Sequence, residues 1–286
     1  MVAEALKRAW GELDVATEII KTRGDERTAE ALDARAGRKG LFTGEIERAL
    51  ATGDIDIAVH SAKDLPSDTN SALEVCAVLP RAAVEDVLIS KNRGGLAALP
   101  QGCVVGTGSV RRQYQLRWRR PDLKIFELRG NVPTRLRKLD ENPWQGIVLA
   151  RAGIERLGHA LWPRGIRVGS RTFFAEMLDK EFFLPAGGQG VIALQVRSED
   201  TKTKNLVEAI NDMPTLLCLR AEREFLRLLQ GDCGTPVGAL ASMKGAIMTI
   251  RAQVFHDTKL VPRTACVEGT AIPEELARKL WEAING

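Results

Sequence analysis

Short apolar runs that end in glycine-containing turns and then give way to helix-period sequence constrain this chain more than any other feature. Cys103 to Val105 leads into the turn Gly106-Thr107-Gly108-Ser109 and a helical segment. Lys124 to Leu128 leads into Arg129-Gly130-Asn131 and a second helical segment, and Ile147 to Ala150 supplies a further buried strand. Strands alternating with helices at this spacing predict an α/β layer structure, with the post-strand turns placed where open α/β sheets bind ligands. A comparable unit comes earlier. Val2, Leu6, Ala9 and Leu13 recur at helical spacing, then Val15, Thr17 and Ile19 alternate as a strand does. Residues 44–50 read as a helix, Asp56 to Val59 as a short buried strand, and Leu65-Pro66 followed by Ser67, Asp68 and Asn70 as a loop. The strand-like run Leu73 to Leu79 reaches Pro80-Arg81-Ala82-Ala83 before a new strand, Asp86 to Ser90, begins. A crossover between units is expected near residues 80–85.

The remainder changes character twice. Residues 157–183, with Trp162-Pro163 and mixed charges, read as an irregular insertion, and Gly187-Gly188-Gln189-Gly190 then opens a strand, Val191 to Val196, that returns to the first unit. Beyond Pro214, Leu217, Ala221, Phe225 and Leu229 form one helix face that must end by Gly231. Met248, Ile250, Ala252 and Val254 alternate with polar residues as a half-buried strand of an antiparallel meander, with a turn at His256-Asp257-Thr258. Pro273 starts a last helix through Leu276, Leu280 and Ile284. The expected division is a first domain from residues 1–80 and 190–209, a second from 85–185, and an α+β third from 213–286.

Composition narrows the class. The chain has 286 residues with 41 Lys plus Arg against 37 Asp plus Glu. Charges break every apolar run well short of the roughly 18 residues a membrane span needs. A net charge of +4 with interspersed signs does not by itself imply nucleic-acid binding. Five cysteines, widely spaced and without a CxxC pair, predict reduced thiols and a cytoplasmic setting, and the N-terminal residues lack a secretory signal. Three histidines without clustered Cys/His spacing argue against a metal site.

Three places could carry chemistry. The span 111–138 holds ten basic residues against Asp122 and Glu127. Arg117, Arg119, Arg120, Arg137 and Lys138 read as a solvated face. Arg111, Arg112, Arg129 and Arg135 follow or flank the two post-strand turns, where helix N-termini offer free N–H groups, so with Thr107 and Ser109 they form a candidate polyanion cradle. Carboxylates and phosphates are equally compatible with it. His60-Ser61-Ala62-Lys63-Asp64-Leu65-Pro66 places an acid and a base together at a strand's end, suited to acid/base work or to an exposed loop pair, with His60 read as packed or hydrogen-bonded. Finally, glycines on both sides expose Cys233 in Gly231-Asp232-Cys233-Gly234-Thr235-Pro236, whereas Cys76, Cys103 and Cys218 lie in apolar patterns and are expected to be buried.

These segments, taken with Lys39-Gly40-Leu41-Phe42, Ala58-Val59-His60-Ser61-Ala62-Lys63-Asp64-Leu65-Pro66, Gly106-Thr107-Gly108-Ser109-Val110-Arg111-Arg112 and Leu128-Arg129-Gly130-Asn131-Val132, resemble in order the motifs of the porphobilinogen deaminase (hydroxymethylbilane synthase) family. The likeness spans nearly the whole chain. It implies two lobes like type II periplasmic binding proteins plus a C-terminal α+β domain. It further implies a dipyrromethane cofactor held by a thioether to Cys233, to which four porphobilinogen units are added head to tail with loss of ammonia, hydrolysis then releasing hydroxymethylbilane for tetrapyrrole (heme) synthesis. By motif position, Asp64 is the catalytic carboxylate. Lys63, Thr107, Ser109, Arg111, Arg112, Arg129 and Gly130 would bind the cofactor, and Arg135, Arg156, Arg35, Lys39 and Phe42 the substrate. Arg35 stands where the family usually has lysine. The resemblance implies a monomer whose partner is porphobilinogen, with no nucleic acid, no membrane and no metal.

Two departures from the family pattern are the segment 157–183 and the start of the chain. The sequence opens inside what resembles the family's first helix, so the first strand of the first domain is expected to be missing and the activity of this form reduced. The alternative reading is a non-enzymatic binding protein of the type II periplasmic class for a small polycarboxylate. A thiol hydrolase would need a histidine partner for Cys233, and His60, His159 and His256 stand in no such motif. A nucleic-acid binder would use the arginines of 111–138.

Overall fold

The chain passes twice between two sheets, and a third sheet with its helices closes against the junction. A computed structural model describes residues 1–22, 43–67, 70–159, 165–168, 171–230, 235–256, 259–270 and 272–286. The first sheet has the order β1 (Ala58–Ser61), β9 (Ile192–Arg197), β2 (Leu73–Val78), with β9 antiparallel to both neighbours. Its central strand therefore comes from sequence far beyond the second sheet. Helices α1 (Val2–Ala9) and α2 (Gly44–Thr52) pack here through Leu6 and Leu50, both buried.

The second sheet runs β5 (Lys124–Phe126), β4 (Val104–Gly106), β6 (Gly146–Ala150), β3 (Asp86–Ser90), β8 (Arg171–Met177), β7 (Ile166–Val168). The triple β5-β4-β6 is parallel, as a strand–helix–strand order demands, and β3 is antiparallel to β6 and β8. Helices α3 (Val110–Arg119) and α4 (Val132–Glu141) are the two crossovers. Asn131 caps α4, its side chain accepting from the Thr134 N–H at 3.0 Å. A short helix, α5 (Arg151–Glu155), follows β6.

Two connections, residues 79–85 and 178–191, join these sheets side by side. Ala82 N–H donates to Gly190 O at 3.1 Å and Leu79 N–H to Ile192 O at 3.1 Å. Gly190 has φ +85°, and a Cβ there would sit 2.5 Å from Ala82 O, so only glycine permits this approach.

The third unit follows α6 (Thr201–Glu208). Helix α7 (Met213–Leu228) starts at Asp212, whose carboxylate accepts from Thr215 N–H at 3.0 Å, with Pro214 in its first turn. It buries Cys218, Ala221 and Phe225 against the antiparallel meander β10 (Val237–Lys244), β11 (Ile247–His256), β12 (Lys259–Thr270) and against helix α8 (Pro273–Asn285). On the same helix, Glu222 is fully buried and takes both amino groups of Arg81 in the first connection, at 2.6 and 3.1 Å. Its carboxylate also accepts from Gly188 N–H at 2.6 Å and Ala241 N–H at 2.7 Å, so every lone-pair direction is used.

Several expectations need correction. Residues 13–22 are not in a ladder: no described strand lies beside Val15, Thr17 and Ile19, and Ile19 is 89% exposed. Alternation alone cannot make a strand without a hydrogen-bonding neighbour. The strand expected at Asp56 to Val59 is shifted to Ala58–Ser61, where it pairs with Ile192 to Gln195 of β9; Asp56 lies before it and pairs with Arg197. The supposedly irregular segment 157–183 contributes β7 and β8, whose Phe173 enters the second core. Cys76 and Cys103 are half-buried rather than buried.

Candidate functional site

The turn that carries Lys63 and Asp64 is a single 3-10 turn, Ala62–Asp64, directly after β1. Ala62 N–H donates to Val191 O at 3.0 Å, and Leu65 N–H returns to Ala62 O at 3.3 Å. Ala62 and Leu65 are buried beside Val78, Val191 and Leu219, which leaves Lys63 half-buried and Asp64 exposed. Gly188, φ +76°, packs its α-carbon against this turn: an added Cβ would lie 2.9 Å from Lys63 N. His60 is packed and hydrogen-bonded, its Nε2 3.1 Å from Gln195 Oε1. Because Gln195 Nε2 donates to Glu47 Oε1 at 3.1 Å, the amide oxygen faces His60, which assigns the imidazole proton to Nε2. Burial pushes His60 down, with the Gln195 hydrogen bond partly opposing it, so it is neutral at pH 7.

Opposite stand the two post-strand turns of the second sheet. Because β4 and β5 are parallel neighbours, Gly106-Thr107-Gly108-Ser109 and Leu128-Arg129-Gly130 lie side by side. A Cβ on Gly108 would be 2.5 Å from Leu128 O. Thr107 is buried and its hydroxyl accepts from Ser109 N–H at 3.3 Å; Ser109 precedes α3 without a side-chain capping bond. Gly130, φ +109°, turns its carbonyl onto Arg135, whose Nε donates at 2.6 Å.

The arginines divide. Arg111 and Arg112 are 4% and 5% exposed and share Asp86, which is fully buried at the head of β3, at 2.7 Å each. Burial alone would raise Asp86, and the two guanidinium groups more than offset it, holding its carboxyl well below the usual range. Gln189 Nε2 adds a bond to Asp86 at 2.9 Å and to Val84 O at 2.6 Å. Arg111 also donates to Leu184 O and Gln115, and Gln115 reaches Gln253 of β11 at 2.6 Å, tying the second and third units together.

Arg129 pairs with Glu127 at the surface. Among the described residues Arg135 forms no ion pair: burial, then the charge of Arg112, push it down to about 10, with Asp64 opposing and Arg129 adding to the effect. Burial likewise pushes Lys63 down, partly offset by Asp64. Lys63 senses Arg111, Arg112 and Asp86 as well, so the two lobes meet at one electrostatic site. Arg156 donates to Gly190 O at 2.8 Å and is lowered by burial. The Nε groups of Arg111, Arg112 and Arg156 are buried without a hydrogen-bond partner among the described residues. Among the solvated set, Arg117 and Arg119 are exposed, Arg119 lying 3.8 Å over the ring of Phe182. Arg137 pairs with Glu141, Arg120 binds Asp122, and Lys138 donates to Arg129 O. Arg35, Lys39, Phe42 and Cys233 fall outside the described residues.

The orphaned Nε groups and the cations lowered by burial fit a polycarboxylate, since each represents desolvated positive charge that an anion would satisfy. Residues 1–205 match the family described as porphobilinogen deaminase, dipyromethane cofactor binding domain, and residues 216–285 match the porphobilinogen deaminase C-terminal domain. The chain belongs to the porphobilinogen deaminase family. The porphobilinogen deaminase of Moorella thermoacetica is 42% identical over 98% of this chain and 87% of its own length. That of Xylella fastidiosa is 42% identical over 99% and 90%. Among solved structures, the methionine binding protein MetQ covers 73% of this chain and 82% of its own at 18% identity, TM-score 0.44. The binding-protein alternative is not favoured, because both matches are to deaminase domains. The cofactor-binding match contains Lys63, Asp64 and the arginines discussed above.

Sequence reasoning missed Asp86, Gln189 and the Arg81–Glu222 pair. Asp86 had a signal, an acid opening a wholly apolar strand; Gln189, between two glycines, had none that distinguishes it from a turn residue. Cys76 and Cys218 thiols are pushed up to about 11 by burial, which makes them poor nucleophiles, and no cluster of three or more metal-ligating side chains occurs among the described residues. No described helix is long and apolar enough to cross a membrane.

Proposed function

We propose that this chain condenses four porphobilinogen units head to tail with release of ammonia, water then cleaving the tetrapyrrole from the primer as hydroxymethylbilane, with Asp64 as its catalytic carboxylate and Cys233 as the attachment point of dipyrromethane. When bound, the dipyrromethane would supply the free terminal pyrrole carbon that receives the first unit, each later unit adding to the ring added before it. Lys63, Arg129, Arg135 and Arg156 bind acetate and propionate groups. Arg111 and Arg112 contribute one net positive charge behind them, and their Nε–H groups, with Thr107, Ser109 and the Gly130 turn, complete the anion site. Asp64 accepts hydrogen bonds from pyrrole N–H groups and sets negative charge beside the positive charge that grows on the substrate as ammonia leaves. Its carboxylate then takes the proton lost from the ring carbon at which the new bond forms. Arg35, Lys39 and Phe42 belong to the substrate side by motif position.

The observation that carries this reading is the crowd of burial-lowered cations, Arg135 and Lys63 foremost, around an exposed carboxylate at the meeting of two lobes. The domain division into 1–80 with 190–209, 85–185 and 213–286 is part of the proposal and is supported by the three separate sheets. So are a monomeric state and a cytoplasmic location. The test is the denatured intact mass with peptide mapping at Cys233, together with ammonia release from porphobilinogen. A two-pyrrole increment and ammonia formation are expected; an unmodified Cys233 in a protein that still consumes porphobilinogen would refute the attachment.

A further inference from the structure

The turn that carries Asp64 is held by a helix of a different unit. Leu216, Leu219 and Arg223 lie on one face of α7, at the i, i+3, i+7 spacing that stacks side chains along a helix. Leu219 packs with Ala62 and Leu65 of the turn, and Leu216 against the same cluster. Arg223, one helical turn further on, donates from its Nη2 to Pro66 O at 2.8 Å. Next to it, Glu222 accepts from Gly188 N–H, and Gly188 is the residue packed on the Ala62–Lys63 backbone. The turn is thus gripped on both flanks by consecutive residues of one helix.

The geometry points to Arg223 as a positioning residue for Asp64, fixing the exit of the catalytic turn from α7 through the Pro66 carbonyl. This rests on the reading of Asp64 given above. Arg223 is half-buried rather than a surface arginine: burial pushes it down, and Glu47 is the charge that offsets it. Asp64 itself is exposed on a single 3-10 turn whose one internal return bond is 3.3 Å long, so its direction depends on outside anchors. The anchor is also sequence-local to Cys233, because α7 runs toward that residue. The helix that precedes the attachment cysteine in the chain is therefore bonded and packed to the turn that bears the carboxylate.

The experiment compares Arg223→Leu, Arg223→Lys and Arg263→Leu in the full-length holoprotein. Arg263 makes a similar bond, Nη1 to Ile284 O at 3.2 Å, away from the turn. Arg223→Leu is expected to lower kcat about tenfold with KM within twofold, as for loss of a positioning contact. Amide exchange should speed up at residues 62–66, while the mass at Cys233 stays unchanged. Arg223→Lys, which can still donate to the carbonyl, is expected to recover most of kcat, and Arg263→Leu to leave it unchanged. Unchanged kcat in Arg223→Leu, or a loss that Arg223→Lys does not recover, overturns the inference. If Arg223→Leu does not fold, Arg223→Lys alone decides it: near-normal kcat with slow exchange in the turn supports the tether, and a tenfold loss with slow exchange refutes it. Asp64→Ala separates the two readings, since normal turnover there refutes the role of Asp64, whereas an inactive Asp64→Ala beside a normal Arg223→Leu refutes only the tether.

Discussion

Arg111 and Arg112, which share a buried carboxylate, and Lys63 and Arg135, which do not, are similar in charge and opposite in circumstance. The first pair shares a buried carboxylate, Asp86, and spends most of its donors on the protein's own oxygens. The second pair is depressed by burial, and the acid foremost in opposing that shift is the exposed Asp64. A buried cation with an internal counter-ion holds a fold together, while one lacking it is left to be satisfied by a ligand. The arginine cradle is a framework with a binding surface laid on it.

The largest effect expected from this division is at Asp64. Asp64→Ala should lower product formation by more than about a hundredfold, as loss of a general acid–base group does, while the two-pyrrole mass at Cys233 is retained. Near-normal turnover would remove the carboxylate from the open side of the comparison. Next comes the counter-ion itself. Asp86→Asn leaves two guanidinium groups buried without their partner and should cost about 3–5 kcal/mol in urea unfolding. A change under about 1 kcal/mol would mean the pair is not framework at all. Arg135→Leu should do the reverse, leaving unfolding within about 1 kcal/mol of the parent but slowing elongation about tenfold or more.

How far this was legible in the sequence depends on whether the partner of a residue was near it in the chain. The strands β3, β4 and β6 and the helices α3, α4, α7 and α8 follow from local periodicity and caps, such as Pro214 after Asp212. The proximity of Arg129 and Arg135 to Arg111 and Arg112 follows from two parallel strands with adjacent turns. The pairing of Arg111 and Arg112 with Asp86, of Arg81 with Glu222, and of Arg223 with Pro66 did not, because each joins elements whose contact is set by tertiary packing. The strand expected at Val15 to Ile19 failed for a related reason, since a ladder needs a neighbour that periodicity cannot supply.

A smaller effect concerns pH. Lys63 has its folded pKa lowered, so burial penalises its charged form at neutral pH, and that penalty is relieved as pH rises through the folded value toward the ordinary one. A bound carboxylate favours the charged form, so binding takes up a proton at alkaline pH and KM for porphobilinogen should rise there. Lys63→Arg, which does not titrate in that range, should flatten the rise. The smallest effect is at the solvated pair: Arg137→Ala, removing the contact to Glu141, should alter neither elongation nor unfolding measurably.

The central claim, that the uncompensated cations hold the growing chain while the compensated pair holds the protein, is tested most directly by intact mass during turnover. Holoprotein and Arg135→Leu would each be mixed with limiting porphobilinogen, quenched, and weighed. The account predicts that the parent shows adducts of one to several units on the cofactor, while Arg135→Leu, equally folded, stalls at the shortest adducts. The same distribution of adducts in both proteins would contradict it.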